Sequence, residues 1–179
     1  MILNQELSFD QLPESIRVSF NSRTAKHELI PANTLLYKFA DGDLTFIDNN
    51  DNREKASPFW GTMDDLFDIM AYAKSTNKQL ADCVRLRNAV LHGWNGLTSL
   101  RIIKLSKPIY GFTGNIGPQN QRGYAKRHYT SPVFFGGGAS QVVLPNLLSE
   151  YIIEIVPKNT VLISDGLDEI EEFLKDLVV

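Results

Sequence analysis

Cysteine, histidine and long apolar runs are scarce in this sequence, and each shortage excludes a class of protein. No stretch approaches the roughly 20 apolar residues that a membrane-spanning helix needs, so we expect no membrane partner. Cys83 is the only cysteine, which excludes an intramolecular disulfide. The three histidines, His27, His92 and His128, are not paired at metal-ligand spacing, and we therefore expect no metal site.

The common sequence motifs of catalysis are also missing. The chain has no glycine-rich phosphate loop ending in Lys-Ser or Lys-Thr, no GxGxxG motif at the start of a helix, and no GxSxG nucleophile elbow. Its carboxylates lie mostly in acidic loops and near the C-terminus, where solvation explains them, so none is marked as a general acid or base. These absences favour a site that works by positioning a reactive ligand.

Size and charge limit the function further. A length of 179 residues predicts one domain over 1–179, and the first residues lack the basic start and apolar run of a signal peptide. We therefore expect the protein to act in a cytoplasm, or to be delivered into a target cell without a cleaved signal. The net charge of −3 argues against non-specific nucleic-acid binding. Residues 164–179 hold six acids and one lysine, whereas residues 121–128 hold three of the cations.

Hydrophobic periodicity predicts helices early in the chain and strands late. A helix is expected after Thr62, which can cap it, and a second over about 78–92. An acidic amphipathic helix is expected at 164–179. The strand candidates share short alternating or continuous apolar runs: 34–39 with a second strand after an Asp-Gly turn, 100–105, 109–112, 132–135, 141–144, 151–156 and 160–163. This order predicts an α+β fold rather than βαβ alternation.

Three features of the pattern point to a ligand site. Gly136–Gly138 lead into the strand that begins at Gln141, and three consecutive glycines cost backbone entropy without adding packing, as a backbone lying against a ligand would. Gln141 alternates with Val143; an inward glutamine needs a polar partner or a ligand, and an outward one needs neither. Arg87 interrupts an apolar stripe, which indicates either a structural ion pair or an anion contact.

The order of these elements resembles that of bacterial ADP-ribosyltransferase-like toxin domains. The stretches that carry the resemblance are TLLYKF, SPFW, the helical block, LRIIKL, the long polar loop and SQVVLP. The resemblance covers roughly residues 30–160, and its motifs are short and degenerate. It implies a split β-sandwich of short, mostly antiparallel strands that binds NAD+ as a substrate. It also implies a core at 30–163, preceded by a possible N-terminal extension at 1–29.

The resemblance assigns roles to individual residues. Lys38 takes the position of the family's phosphate- or ribose-binding Arg or His, and Ser57 lies near the middle motif. Gln141 takes the position of the catalytic Glu, and a neutral amide stabilises an oxocarbenium ion less well than a carboxylate does. The expected catalytic residues are Gln141, Lys38 and Ser57. The expected NAD+ contacts are Tyr37, Lys38, Phe59, Trp60, Arg87 and Gly138.

The polar loop at 113–131 falls where the family has its substrate-recognition loop. Its basic and aromatic residues suit an acidic protein surface or RNA. The expected recognition residues are Arg122, Tyr124, Arg127 and Tyr129. The resemblance thus implies an effector that transfers ADP-ribose to a protein or RNA acceptor, with a possible immunity or delivery protein as a partner. Two alternatives remain open: a catalytically impaired pseudo-enzyme that binds a nucleotide or a partner, and an α+β interaction module without enzymatic activity.

Overall fold

A seven-stranded antiparallel sheet in the order β1-β7-β10-β5-β2-β6-β11 forms the centre of the protein. The computed structural model describes residues 1–90, 94–120 and 134–178. The strands of this sheet are β1 (Lys26–Ile30), β2 (Leu35–Ala40), β5 (Phe59–Thr62), β6 (Ser99–Leu105), β7 (Ile109–Asn115), β10 (Ser140–Val143) and β11 (Ile152–Val156). Two further pairs lie outside it: β3 (Thr45–Ile47) with β4 (Glu54–Ala56), and β8 (Gln119–Asn120) with β9 (Phe134–Phe135).

The helices pack against one face of this sheet. They are α1 (Glu14–Arg17), α2 (Met63–Thr76), α3 (Leu80–Asn88) and α4 (Leu167–Val178). As expected, α2 begins at Thr62, whose side chain accepts a hydrogen bond from the Asp65 backbone N–H. Leu66 and Ile69 of α2 and Leu174 of α4 are buried in the same core cluster as Tyr37 of β2.

Strand alternation divides the core between the two faces of the sheet. Tyr37 lies in the cluster beneath the helices, while its neighbour Leu36 lies in a second cluster on the other face. Trp60 of β5 and Val142 of β10 pair directly and belong to that second cluster. Gln141, which alternates with Val142, therefore lies on the helix face.

Strand β5 joins the two halves of the sheet and pairs only briefly with each. Phe59 and Trp60 pair with β10, whereas Gly61 and Thr62 pair with Tyr37 and Leu36 of β2. A side chain on Gly61 would collide with the Tyr37 ring, since its Cβ would lie 2.3 Å from Cε1 of that ring. Strand β10 therefore pairs only with the first half of β5, and β2 pairs only with its second half.

The α+β prediction, with early helices, mostly antiparallel strands and a C-terminal helix, is confirmed. The second strand expected after the Asp-Gly turn is β3, which pairs with β4, and Lys55 of β4 forms ion pairs with Asp48 and Asp51. One strand prediction was wrong. Residues 160–163 contribute only a bridge from Leu162 to Ser99, because β11 already pairs with the residues of β6 from Ile102 onward.

The N-terminal segment packs against the sheet instead of standing apart from it. Leu12 and Phe20 are buried in one cluster with Phe112 of β7 and Val143 of β10, and β1 pairs with β7. The first 29 residues therefore supply both an edge strand and part of the core. None of the helices in the described ranges is both long and apolar enough to cross a membrane.

Candidate functional site

A cavity of about 580 Å³ opens on the helix side of the sheet, beside the strands that flank β5. Its size falls in the range of small-molecule sites, about 300–1,000 Å³. Residues from β2, β5, β8, β10, the N-terminal segment, the end of α3 and the segments before β6 and after β7 share its wall. They are Ser15, Val18, Ser19, Tyr37, Lys38, Phe39, Phe59, Trp60, Gly61, Val84, Asn88, Ala89, Val90, Trp94, Asn95, Leu97, Ile116, Gln119 and Gln141.

The described part of this wall is aromatic and amide-rich, with a single charge. Lys38 is its one charged side chain, and no carboxylate is present among the described lining residues. Rings suited to stacking and amides suited to hydrogen bonding make up much of the rest. Such a surface fits a ligand that is flat in one part, anionic in another and rich in hydroxyl or amide groups.

Gln141 points into the molecule and has a polar partner there. Its side chain is 5% exposed, and its Nε2 donates to Oγ of Ser19 at 3.1 Å. The Ser19 hydroxyl in turn donates to the carbonyl of Ile16 at 2.7 Å. The N-terminal segment therefore holds the amide of Gln141 in place at the cavity wall.

Lys38, Ser57 and Trp60 form one connected group. The Lys38 ammonium donates to Oγ of Ser57 at 2.7 Å and lies 5.5 Å from the centroid of the Trp60 ring, whose Nε1 donates to the Ser57 carbonyl at 2.7 Å. Burial and the nearby Arg101 guanidinium lower the pKa of Lys38 to about 8. Lys38 and Trp60 alternate onto the face opposite Gln141, and they reach the cavity where β2 and β5 no longer pair.

Tyr37 lines the cavity and also belongs to the hydrophobic core beneath the helices. Its ring is fully buried, its hydroxyl accepts a hydrogen bond from Nδ2 of Asn88 at 3.1 Å, and burial raises its pKa. Oδ1 of Asn88 is buried without a hydrogen-bond partner among the described residues. Phe59, at the other end of the cavity, is 37% exposed and available to a ligand.

Two of the three glycines, Gly137 and Gly138, are required by the backbone conformation and by contacts within the protein. Gly137 and Gly138 adopt φ angles of +70° and +95°, and their amides donate to the carbonyls of Leu86 and Ile116. A Cβ on Gly137 would lie 2.5 Å from the Ile116 carbonyl oxygen. Backbone packing against α3 and β7 thus explains these two glycines, and Gly138, expected to contact NAD+, is not among the described lining residues.

Arg87, another expected NAD+ contact, is not among the described lining residues. Arg87 forms no ion pair with the described residues, and its buried Nε has no hydrogen-bond partner there. It lies near the Tyr37 hydroxyl, whose pKa its charge lowers slightly against the larger effect of burial. The recognition residues expected at 122, 124, 127 and 129 lie outside the described ranges. The described residues also hold no group of three or more potential metal ligands.

Sequence reasoning missed several residues of the wall. Ser19 lies in the segment expected to be an extension, and Asn88 follows an apolar helix face without any motif. Trp94 lines the cavity and is 64% exposed. It lies between Gly93 and Gly96, in a stretch for which the sequence predicted no function. The available signal was this tryptophan between two glycines, where no apolar periodicity assigns the ring to the core.

No protein-family model and no curated protein matches this chain. Among solved structures, the chain is similar to "Rhs1-CT in complex with cognate immunity protein RhsI1", with 14% sequence identity and a TM-score of 0.47. That similarity covers 75% of this chain and 79% of the other. At this level the similarity does not support a function.

Proposed function

We propose that this protein binds NAD+ in the cavity and cleaves the bond between nicotinamide and ribose. The observation that supports this most is the adjacency of β10, β5 and β2, whose residues Gln141, Phe59 and Lys38 all line one cavity. These are the three strands that carry the resemblance to ADP-ribosyltransferase-like domains. The lining also matches the ligand, since it offers one cation for a pyrophosphate, aromatic rings for a nicotinamide or adenine, and amides for ribose hydroxyls.

Each residue has a distinct task in this proposal. Lys38 contacts a phosphate or ribose oxygen, and Ser57 with Trp60 holds the Lys38 side chain in position. Phe59 stacks on the nicotinamide ring. Gln141, held by Ser19, accepts or donates a hydrogen bond at the nicotinamide-side ribose. As the C–N bond breaks, nicotinamide leaves with the bonding electrons and positive charge develops on the ribose, which the oriented amide dipole stabilises.

Two acceptors are compatible with this chemistry. Transfer to a macromolecule requires loss of a proton from the acceptor nucleophile, and the described part of the cavity offers no carboxylate to take it. Hydrolysis is therefore the second candidate, because a water molecule that attacks the oxocarbenium-like centre can release its proton directly to solvent. Free ADP-ribose as the sole product would favour hydrolysis, and a labelled protein or RNA would favour transfer.

The first test is titration of the purified protein with NAD+ and, separately, with nicotinamide, followed by mass analysis of released nicotinamide. We expect saturable binding with release, and we expect Gln141→Ala to lower the release rate by about 10²–10³, as loss of one preorganised hydrogen bond does in other enzymes. Ser140→Ala is the matched control, because Ser140 lies on the same strand but is exposed and is not a lining residue.

The outcomes separate the candidate functions. Binding without release would indicate a pseudo-enzyme that uses the same cavity. Absence of binding at millimolar NAD+ would contradict the proposal and leave an interaction module. An equal loss of activity in Ser140→Ala and Gln141→Ala would also contradict it, since both variants would then act through strand β10 as a whole.

We further propose, from the resemblance alone, that the protein is an effector that acts on a target cell and is neutralised in its producer by an immunity protein. Depletion of cytosolic NAD+ or modification of an essential acceptor would stop growth. Induced expression in a bacterial cytoplasm should therefore arrest growth, and Gln141→Ala should relieve the arrest at equal protein levels. Equal arrest by both forms would contradict an NAD+-dependent effector.

A further inference from the structure

The amine of Lys38 occupies an unusual setting that NAD+ binding alone does not require. It lies at the wall of a cavity large enough for a ligand, and no carboxylate is within ion-pair distance of it among the described residues. Its hydrogen-bond partner is the neutral Ser57 hydroxyl, and an indole ring covers it. Lys38 is partly buried, and a lysine withdrawn from water for structure alone is usually paired with an acid.

The charged groups around Lys38 oppose its protonation. Arg101 is the register partner of Lys38 on β6, so the two cations are neighbours across the strands. The Arg101 side chain is fixed in place, since its guanidinium donates hydrogen bonds to the Glu154 carboxylate of β11 and to the Gly42 carbonyl. Desolvation and this cation together hold the pKa of Lys38 at about 8. Lysines become nucleophilic in such surroundings, in an apolar pocket or beside another cation.

We propose that Lys38 is a carbonyl-reactive lysine, which captures an aldehyde or ketone group of a ligand in the cavity as an imine. The proposal rests on the placement of a solvent-shielded, acid-free amine at a ligand-sized cavity with a hydroxyl 2.7 Å away. It goes beyond NAD+ binding and does not depend on it. The ligand class is a small carbonyl compound.

The chemistry balances without an oxidant or reductant. The neutral Nζ attacks the carbonyl carbon, and the carbonyl oxygen takes up a proton to give a carbinolamine. Loss of the second amine proton and of the hydroxyl as water then forms the carbon–nitrogen double bond. Oγ of Ser57 lies within hydrogen-bond distance of Nζ and can pass the proton between nitrogen and oxygen.

Pyridoxal 5′-phosphate with borohydride tests the proposal, since the probe carries a reactive aldehyde. At pH 7.5 a lysine whose pKa is about 8 has a neutral fraction roughly 10²-fold larger than one with the ordinary value near 10.4. We expect reduction to fix a pyridoxyl group on Lys38 at least about tenfold faster than on any other lysine, as mapped by mass spectrometry of peptides. The rate should rise with pH and level off above about 8.

Two arginine variants make the result specific. Lys38→Arg keeps the charge but cannot form an imine, so the fast labelling phase should disappear. Lys104→Arg changes a partly buried lysine on the adjacent strand β6 and should leave that phase unchanged. Labelling spread evenly over the lysines, or a fast phase that persists in Lys38→Arg, would overturn the proposal. Because no NAD+ is present, this outcome is independent of the result for NAD+ cleavage.

Discussion

The properties of Lys38 follow from where its side chain ends. Four methylene groups carry the ammonium from strand β2 to the side-chain hydroxyl of Ser57, where the ring of Trp60 lies beside it. Removing a cation from water costs free energy unless an acid is paired with it. This position of Lys38 therefore lowers the free energy of unfolding and gives an amine whose pKa, about 8, is close to neutral.

This cost predicts a pH-dependent gain in stability for Lys38→Met. The folded pKa of about 8 is below the unfolded value, so the unfolded chain binds the proton more tightly and the penalty is fully present below pH 8. The wild-type protein should gain stability as the pH rises from about 8 to about 10.5. Urea unfolding should show Lys38→Met more stable at pH 7, by at most about 3 kcal/mol, with the difference narrowing over that range.

Lys104→Met is the control for that measurement, because it removes a lysine of the neighbouring strand β6 that does not line the cavity. A stability difference for Lys38→Met that stays constant from pH 7 to pH 10 would mean that the amine is hydrated in the folded protein. The amine would then have no reason to be unusually reactive.

At the scale of elements, the segment before β10 shows how a turn positions a side chain. Gly137 and Gly138 bond the end of α3 to β7, and Ala139 continues this path with a hydrogen bond to the Arg87 carbonyl. The chain thus enters β10 in a fixed position, and Gln141 follows two residues later. The glycines act on the site by fixing the start of the strand rather than by touching a ligand.

A pair of alanine substitutions tests this role. Gly137→Ala forces a positive φ on a residue with a Cβ and brings that Cβ against the Ile116 carbonyl, so it should lower the free energy of unfolding by about 1–3 kcal/mol or more. Gly136→Ala adds the same methyl group where no atom lies within 4 Å and should be nearly neutral. Thermal unfolding of the two variants measures the difference, and equal midpoints would contradict the packing role.

At the scale of the whole molecule, the N-terminal segment completes both the core and the cavity. Phe20 is 2% exposed between β7 and β10, and its ring meets Phe9 edge-on at 5.8 Å between centroids. Ser19, the partner of Gln141, is the preceding residue. Stability and the geometry of the site are therefore coupled through this segment.

Phe20→Ala should reveal that coupling. Truncating a buried phenylalanine costs about 3–5 kcal/mol, and the cavity it leaves lies next to the Gln141–Ser19 contact. We expect a large loss of stability in urea unfolding and weaker NAD+ binding under conditions where the variant remains folded. Phe46→Ala is the matched control, because Phe46 is 50% exposed on the separate β3–β4 pair, and it should alter neither. Unchanged NAD+ binding in folded Phe20→Ala would show that the segment supports the core alone.

The sequence by itself determined those features that depend on neighbours along the chain. The apolar spacing after Thr62 specified α2, and alternation specified β6 and β10, because periods of 3.6 and 2 are local properties. Local pattern also limited Gln141 to two orientations. It did not choose between them, since that choice depends on which segments pack on each face.

Only the tertiary structure decided which residues meet. Gln141 bonds Ser19 across 122 residues of sequence, and Lys38 and Gln141 reach one cavity from opposite faces of the sheet. Strand order and register arise from long-range pairing, which no short window of sequence contains. The same long-range packing places no carboxylate of the described residues within ion-pair distance of Lys38. We therefore expect Lys38 to be a reactive group and not half of a structural ion pair.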